Sequence, residues 1–284
     1  MTYLLTQTLN GLFSAALLFL IASGLTLTFG VMKIVNIAHG SFYMLGVYVA
    51  YSVFLRTQSL LWCAVVAIVV VGTIGFVMQR YFLRRFAADP LAQMMMTMGF
   101  ALLFRDGALM VWGGDPFTLQ YPGWLSGSME TGDVVFPLYR LFVILVAALV
   151  GVALWLVNEK TLVGARLRAA VDDPEMASAT GINVARLSGL VFAVGAGLAA
   201  FGGVMGGPIL GGYAGIDFDL LPLAFVVVIV GGMGSLKGAL VGSIVVGMID
   251  NFGKALVPEL SYFTLFAPMV LVLAFKPTGL YGRA

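Results

Sequence analysis

The sequence predicts an all-α polytopic membrane protein with eight or nine transmembrane or broken helices and a short, helical cytoplasmic loop. Three observations carry this: composition, charge-free runs and the placement of basic residues. The 284 residues are 61% hydrophobic and 10% charged, with a mean hydropathy of +1.05, whereas about a quarter of a soluble domain is charged. A hydrocarbon core of about 30 Å takes about 20 apolar residues as helix. Residues 8–30, 34–55, 57–79, 141–158 and 187–216 contain no Asp, Glu, Lys or Arg, and each is read as a hydrophobic element.

The first run has no basic segment before it and exceeds the apolar length of a signal peptide, so it is read as a retained span. After it comes a polar break, Asn36-Ile37-Ala38-His39-Gly40-Ser41-Phe42-Tyr43. Irregular polar backbone at membrane depth is tolerated only where it is buried in protein or lines a cavity, so the break marks a candidate solute path. Cys63 stands alone and forms no intrachain disulfide.

A further span covers about 91–112 and contains the adjacent charges Arg105 and Asp106. An isolated charge in lipid costs several kcal/mol unless it is paired or hydrated. Helix neighbours in sequence do not face each other, so these two need separate partners. The last third holds apolar pieces near 220–233, 238–252 and 261–276. The first two look too short for a straight crossing and are read as tilted or as half-helices around Gly231-Gly232-Met233-Gly234-Ser235. Residues 1–284 are read as one transmembrane domain.

Short cytoplasmic loops accumulate Lys and Arg. Arg80, Arg84 and Arg85, and then Lys160, Arg166, Arg168 and Arg186, therefore place 80–85 and 158–186 inside, while 113–136 carries no basic residue. Alternation then puts Asp217-Phe218-Asp219 outside, and Lys237 and the tail from Lys276 to Arg283 inside. Small residues every four positions let helices approach closely in lipid. Gly195, Ala199, Gly203 and Gly207 form one such ladder, and Gly234, Gly238 and Gly242 another. The breaks at 31–43 and 231–238 also suit corresponding interruptions in two halves of a transporter.

The loop 158–187 has its own local code. Asp173 suits a helix cap, Pro174 the first position, Glu175 the positive dipole end and Gly181 a left-handed terminus, which predicts a helix over about 174–180. Before it, Thr161 to Val171 is helix-compatible. Two short helices shown on one face make a docking element.

Asn36 to Tyr43, the stretch Gly164-Ala165-Arg166-Leu167-Arg168-Ala169-Ala170-Val171-Asp172-Asp173-Pro174, then Gly181-Ile182-Asn183 and Gly231-Gly232-Met233-Gly234-Ser235 together resemble the LivH-type permease of branched-chain amino acid ABC importers. The likeness extends to Trp112-Gly113-Gly114-Asp115-Pro116 and Lys276-Pro277-Thr278-Gly279. It implies a multi-pass subunit of the bacterial inner membrane that forms half of a translocation pathway for branched-chain or related amino acids. It also implies a second, LivM-type permease, two ATP-binding subunits and an extracytoplasmic solute-binding protein as partners. Glu175, Ala177 and Gly181 match the spacing of the import-permease loop that seats on an ATPase. The resemblance therefore assigns ATPase coupling to Gly164, Arg166, Arg168, Asp173, Pro174, Glu175, Ala177 and Gly181. It places Asn36, His39, Gly40, Ser41, Tyr43, Gly231, Gly232 and Gly234 along the pathway.

ATP and magnesium are expected on the partner subunits, because the nearest approach to a Walker A motif, Gly253-Lys254, lacks both the first glycine and the following hydroxyl. One His, one Cys and dispersed carboxylates assemble no metal cluster or nucleophile–base pair, so no catalytic residue, metal ligand or bound cofactor is assigned. Two other classes compete: a secondary transporter coupled to ions through Arg105, Asp106, His39 or Asp250, and a passive channel or structural membrane subunit. The family pattern has uncharged polar residues near Arg105-Asp106, and that departure admits other cargo, such as urea, amides or aromatic acids.

Overall fold

The computed structural model describes residues 2–131 and 134–282. Arg283, assigned above to the cytoplasmic tail, lies outside the described residues. In chain order the helices are α1 (Thr2–Met32), α2 (His39–Thr57), α3 (Leu60–Val77), α4 (Pro90–Trp112), α5 (Leu138–Lys160), α6 (Leu162–Asp172), α7 (Pro174–Ala179), α8 (Val184–Leu210), α9 (Ile216–Gly231), α10 (Leu236–Leu256) and α11 (Ser261–Phe275). Helix α3 continues through a π-helical turn, Met78–Phe82, and a 3₁₀ turn, Leu83–Phe86. Among the described residues six helices, α1, extended α3, α4, α5, α8 and α10, are long and apolar enough to cross a membrane.

Helix α1 is the hub of this polytopic bundle. It packs on α5, α8, α9 and α10, while α2 packs on α3, α4, α8 and α9. Most of α1 is buried, whereas α4 and α5 bury little of their length. The glycine ladder of α8 makes the close packing possible. Gly203 meets the Tyr43 carbonyl and Val47 of α2, and Gly195 meets Gly24 and Thr28 of α1. Gly238 and Gly242 of α10 lie against the backbone of α9 in the same way. A side chain at Gly203 would have to push two helix backbones apart, and overpacking costs about 1–3 kcal/mol. Gly203→Val is therefore expected to lower the unfolding midpoint in detergent; an unchanged midpoint would refute the close approach.

Two expectations need correction. The irregular stretch is 33–38 alone, because Phe42 N–H donates to the Ala38 carbonyl at 3.2 Å and closes the first turn of α2. His39 to Tyr43 are therefore helical rather than part of the break. Secondly, α10 runs for 21 residues and is no half-helix; of the pair beside the glycine-rich break only α9, at 16 residues, is short. Beyond those expectations, Asp217 and Asp219 belong to the first turn of α9, and Asp217 is buried. The segment between α4 and α5 also folds a small antiparallel hairpin, β1 (Ser128–Thr131) and β2 (Val134–Pro137). That hairpin had no signal in the hydropathy pattern.

Candidate functional site: the meeting of two interrupted helices

Lys33, with a φ of 54°, turns the chain out of α1, and the segment 33–38 then doubles back along it. His39, at the start of α2, donates from Nε2 to the Ile21 carbonyl at 2.9 Å. That carbonyl lies three turns before the end of α1, about 16 Å along the axis, so α2 begins inside the bundle. The histidine is fully buried, its ring is set edge-on to Phe42, and its Nδ1 has no partner among the described residues. Thr97 of α4 supports the break by accepting from the Ile37 N–H at 3.1 Å. Asn36 is buried, and among the described residues neither polar side-chain atom has a partner.

The first turn of α2 meets the first turn of α9. Ser41 Oγ donates to Asp217 Oδ2 at 2.8 Å across 176 residues of sequence. Gly40 lies against the Asp217 backbone so closely that any side chain there would collide with it. The residue before α2, Ala38, supplies no side-chain cap, so the carboxylate sits where the dipole of α2 favours negative charge. Its second oxygen, Oδ1, is buried with no hydrogen-bond partner among the described residues. Arg105 of α4 covers the neighbouring Phe218 ring at 5.9 Å, and Tyr213 donates to Asp219 at 2.5 Å. Tyr43 and Tyr48 carry buried hydroxyls that lack partners among the described residues.

Asn36, His39, Gly40, Ser41 and Tyr43 are thus gathered in one enclosed cluster, each nearly or fully buried. Gly231, Gly232 and Gly234 lie elsewhere, at the turn between α9 and α10. Gly232 and Gly234 there have φ of +104° and +81°, and Gly234 faces Gly30 near the end of α1. The tail covers this turn, with Leu280 and Tyr281 N–H donating to the Val230 and Gly231 carbonyls at 2.9 Å each. Reading the sequence missed Asp217 and Thr97. The available signal for Asp217 was an acidic residue two positions after Gly215, whose φ of +119° starts α9.

The histidine's observed bond makes a test. Glutamine can donate from its amide as the imidazole does, so His39→Gln should keep most activity and leave the pH profile unchanged. His39→Leu removes the imidazole's bond to a helix carbonyl, a loss of about 0.5–1.5 kcal/mol, and should lower the folded yield. Equal yields of the two variants would remove the hydrogen bond's role.

On the other side of the molecule α6 and α7 are capped as their residues demand. Thr161 Oγ1 accepts from Gly164 N–H at 3.3 Å, and Asp173 Oδ1 accepts from Glu175 and Met176 N–H at 3.1 and 2.9 Å. Gly181 has a φ of +89°, and Asn183 Oδ1 accepts from Arg186 N–H at 2.9 Å to start α8. Arg168 donates to the Asn158 carbonyl, while Ala177 and Gly164 are buried beneath the pair. Arg166, Glu175, Leu162, Val163 and Met176 stand exposed, a mixed charged and apolar surface. Gly253-Lys254 lies within α10, where Lys254 Nζ pairs with Asp250 at 2.7 Å, a geometry unlike a phosphate loop.

Comparison with known proteins gives a consistent answer along nearly the whole chain. Residues 7–273 match the family model described as branched-chain amino acid transport system / permease component. The high-affinity branched-chain amino acid transport system permease protein LivH of Salmonella typhimurium is 30% identical over 99% of this chain and 96% of its own. BraD of Pseudomonas aeruginosa, described in the same words, is 29% identical over 98% and 96%. Among solved structures, PsaBC from Streptococcus pneumoniae in complex with Fab superposes with a TM-score of 0.50 over 96% of this chain and 92% of that one. At 14% identity that likeness concerns the fold alone.

Proposed function

The chain belongs to the branched-chain amino acid transport permease family, a polytopic inner-membrane protein, and on that premise we propose that it is one of two permease subunits of an ABC importer for branched-chain or related amino acids. The observation that carries this reading is the family match over residues 7–273. In it, residues 1–284 form a single domain in which α1 to α5 and α8 to α11 lie in the membrane and 158–187 lies in the cytoplasm. The partners are a LivM-type permease, two ATP-binding subunits that hold ATP and magnesium, and an extracytoplasmic binding protein. This chain performs no chemistry on the solute.

Coupling falls to the α6–α7 pair, with Arg166 and Glu175 at the contact, Arg168 tying α6 to α5, and Gly164, Asp173, Pro174, Ala177 and Gly181 holding the pair's shape. A rigid, capped element that exposes Leu162 and Met176 suits a protein partner better than a loop that only sets topology. Asn36, His39, Gly40, Ser41 and Tyr43 shape the pathway wall from within the bundle. Gly231, Gly232 and Gly234 form the turn that lets α9 and α10 move against α1. Purification from native membranes with mass spectrometry tests the assembly. Recovery of two ATPases and a second permease, with ATP-dependent leucine uptake in vesicles, is the expected result. Uptake by this chain alone, without ATP, would overturn it.

A further inference from the structure

The C-terminal end of α3 combines an apolar recess with unpaired positive charge. Gly72 and Gly75 turn one face of α3 to Ala193 and Ala196 of α8, so the opposite face looks out of the bundle. Helix α4 packs on α2 and on the 3₁₀ turn Leu83–Phe86, and it leaves a cleft of about 190 Å³ beside α3. Ile74 and Val77 of α3, with Met78 and Phe82 of its π turn, form one wall; Phe100 and Phe104 of α4 form the other. Phe82 meets Phe100 edge to face, with ring centroids 5.0 Å apart, and Phe100 meets Phe104 at 5.7 Å, so the rings hold one another in place. Of the lining residues Thr73 alone is polar, and its hydroxyl donates to the Val69 carbonyl of its own helix at 2.7 Å. A wall that offers no hydrogen bond suits a hydrocarbon chain.

Arginines stand at one end of this recess. Arg80, Arg84 and Arg85 are each within about 6 Å of Phe82 along the axis, and all of them are exposed. Among the described residues none has an ion-pair or hydrogen-bond partner. Asp89, the next carboxylate along the chain, caps α4 instead, accepting from Ala92 N–H at 3.0 Å. The π turn Met78–Phe82 carries both Arg80 and the Phe82 ring, and such turns recur at functional sites. A topology signal needs the arginines alone; an apolar recess beside them is a separate feature. On the orientation that these arginines indicate, they reach the cytoplasmic leaflet, where basic residues between helices attract anionic headgroups.

We propose that the α3–α4 cleft is a binding site for an anionic phospholipid, with Arg80, Arg84 and Arg85 at its phosphate and one acyl chain against Val77, Phe82 and Phe100. The site shares no residue with the cluster around Ser41 and Asp217 or with the α6–α7 pair. It rests on the chain being a membrane protein and is independent of the cargo. Helix α4 buries little of its length, so a lipid seated between it and α3 also holds α4 against the bundle.

The test is native mass spectrometry of the protein purified with its accompanying subunits, stripped of lipid in detergent and titrated with phosphatidylglycerol or phosphatidylcholine of the same acyl chains. The wild type should hold one phosphatidylglycerol per copy of this chain about tenfold or more tighter than phosphatidylcholine, since each basic residue near an anionic headgroup is worth about fivefold. Arg84→Gln with Arg85→Gln, which keeps Arg80, should remove most of that preference. Val77→Trp fills the recess with every charge in place and should lose the same tight lipid. Equal affinity for the two lipids in the wild type would overturn the site, and so would an unchanged tight lipid in either variant. Loss of an accompanying subunit from the arginine variant would overturn it as well, because the arginines would then be a protein contact.

Discussion

Replacing Gly181 with valine together with Asp173 with alanine is expected to abolish ATP-driven uptake while leaving the membrane bundle folded. Gly181 holds a φ of +89°, where a residue with a Cβ loses about 1–2 kcal/mol. Asp173 binds two otherwise unpaired N–H groups at the start of α7, and such a cap contributes about 1 kcal/mol. The two losses fall on one short helix, which is exposed along most of its length and has little packing to compensate. Together they shift the ordered form by about two orders of magnitude, at tenfold per 1.4 kcal/mol. Uptake in vesicles should fall accordingly, with ATP turnover no longer stimulated by the loaded binding protein. Each single variant should show an intermediate loss. Normal stimulation in the double variant would remove the coupling role of this loop.

The second large effect concerns Asp217. Its carboxylate accepts from Ser41 at 2.8 Å and neutralises the start of α2, which has no side-chain cap of its own. Asp217→Ala removes a hydrogen bond to a charged group, about 1.5–3 kcal/mol, and a helix-terminus interaction of up to about 2 kcal/mol in a buried setting. It also strands the Ser41 hydroxyl in a closed site. A marked drop in folded yield and in unfolding midpoint is expected. Asp217→Asn keeps an acceptor for Ser41 and should lose much less, and Ser41→Ala should fall between the wild type and Asp217→Ala. If Asp217→Ala unfolds at the wild-type midpoint, the α2–α9 junction is not held by this pair.

Much of the molecule was legible before any coordinates because the relevant physics is local. The second loop helix follows from Asp173, Pro174 and Gly181, residues that act on backbone groups a few positions away, and its cap at Asp173 forms as expected, while Thr161 caps the first. The ladder on α8 was visible as a four-residue spacing, and it lies at the helix contacts. The boundary of the first break was less visible. His39, Gly40 and Ser41 look like loop residues by composition, yet the chain resumes helix at His39 because the bundle supplies what the segment lacks: the Ile21 carbonyl for the imidazole and Asp217 for the hydroxyl.

Hydropathy and capping are properties of contiguous residues, and by themselves they determined that the chain is a helical membrane protein and that the segment between α5 and α8 carries its own short capped helix. Only the tertiary structure decided that Asp217 lies buried against Ser41, that Arg105 turns toward α9 while Asp106 turns outward, and that the tail covers the glycine turn. The physical reason is that a membrane helix is apolar on nearly every side, so its sequence carries little record of which face meets protein and which does not. That choice is made by the close fit of small residues between helices far apart in the chain.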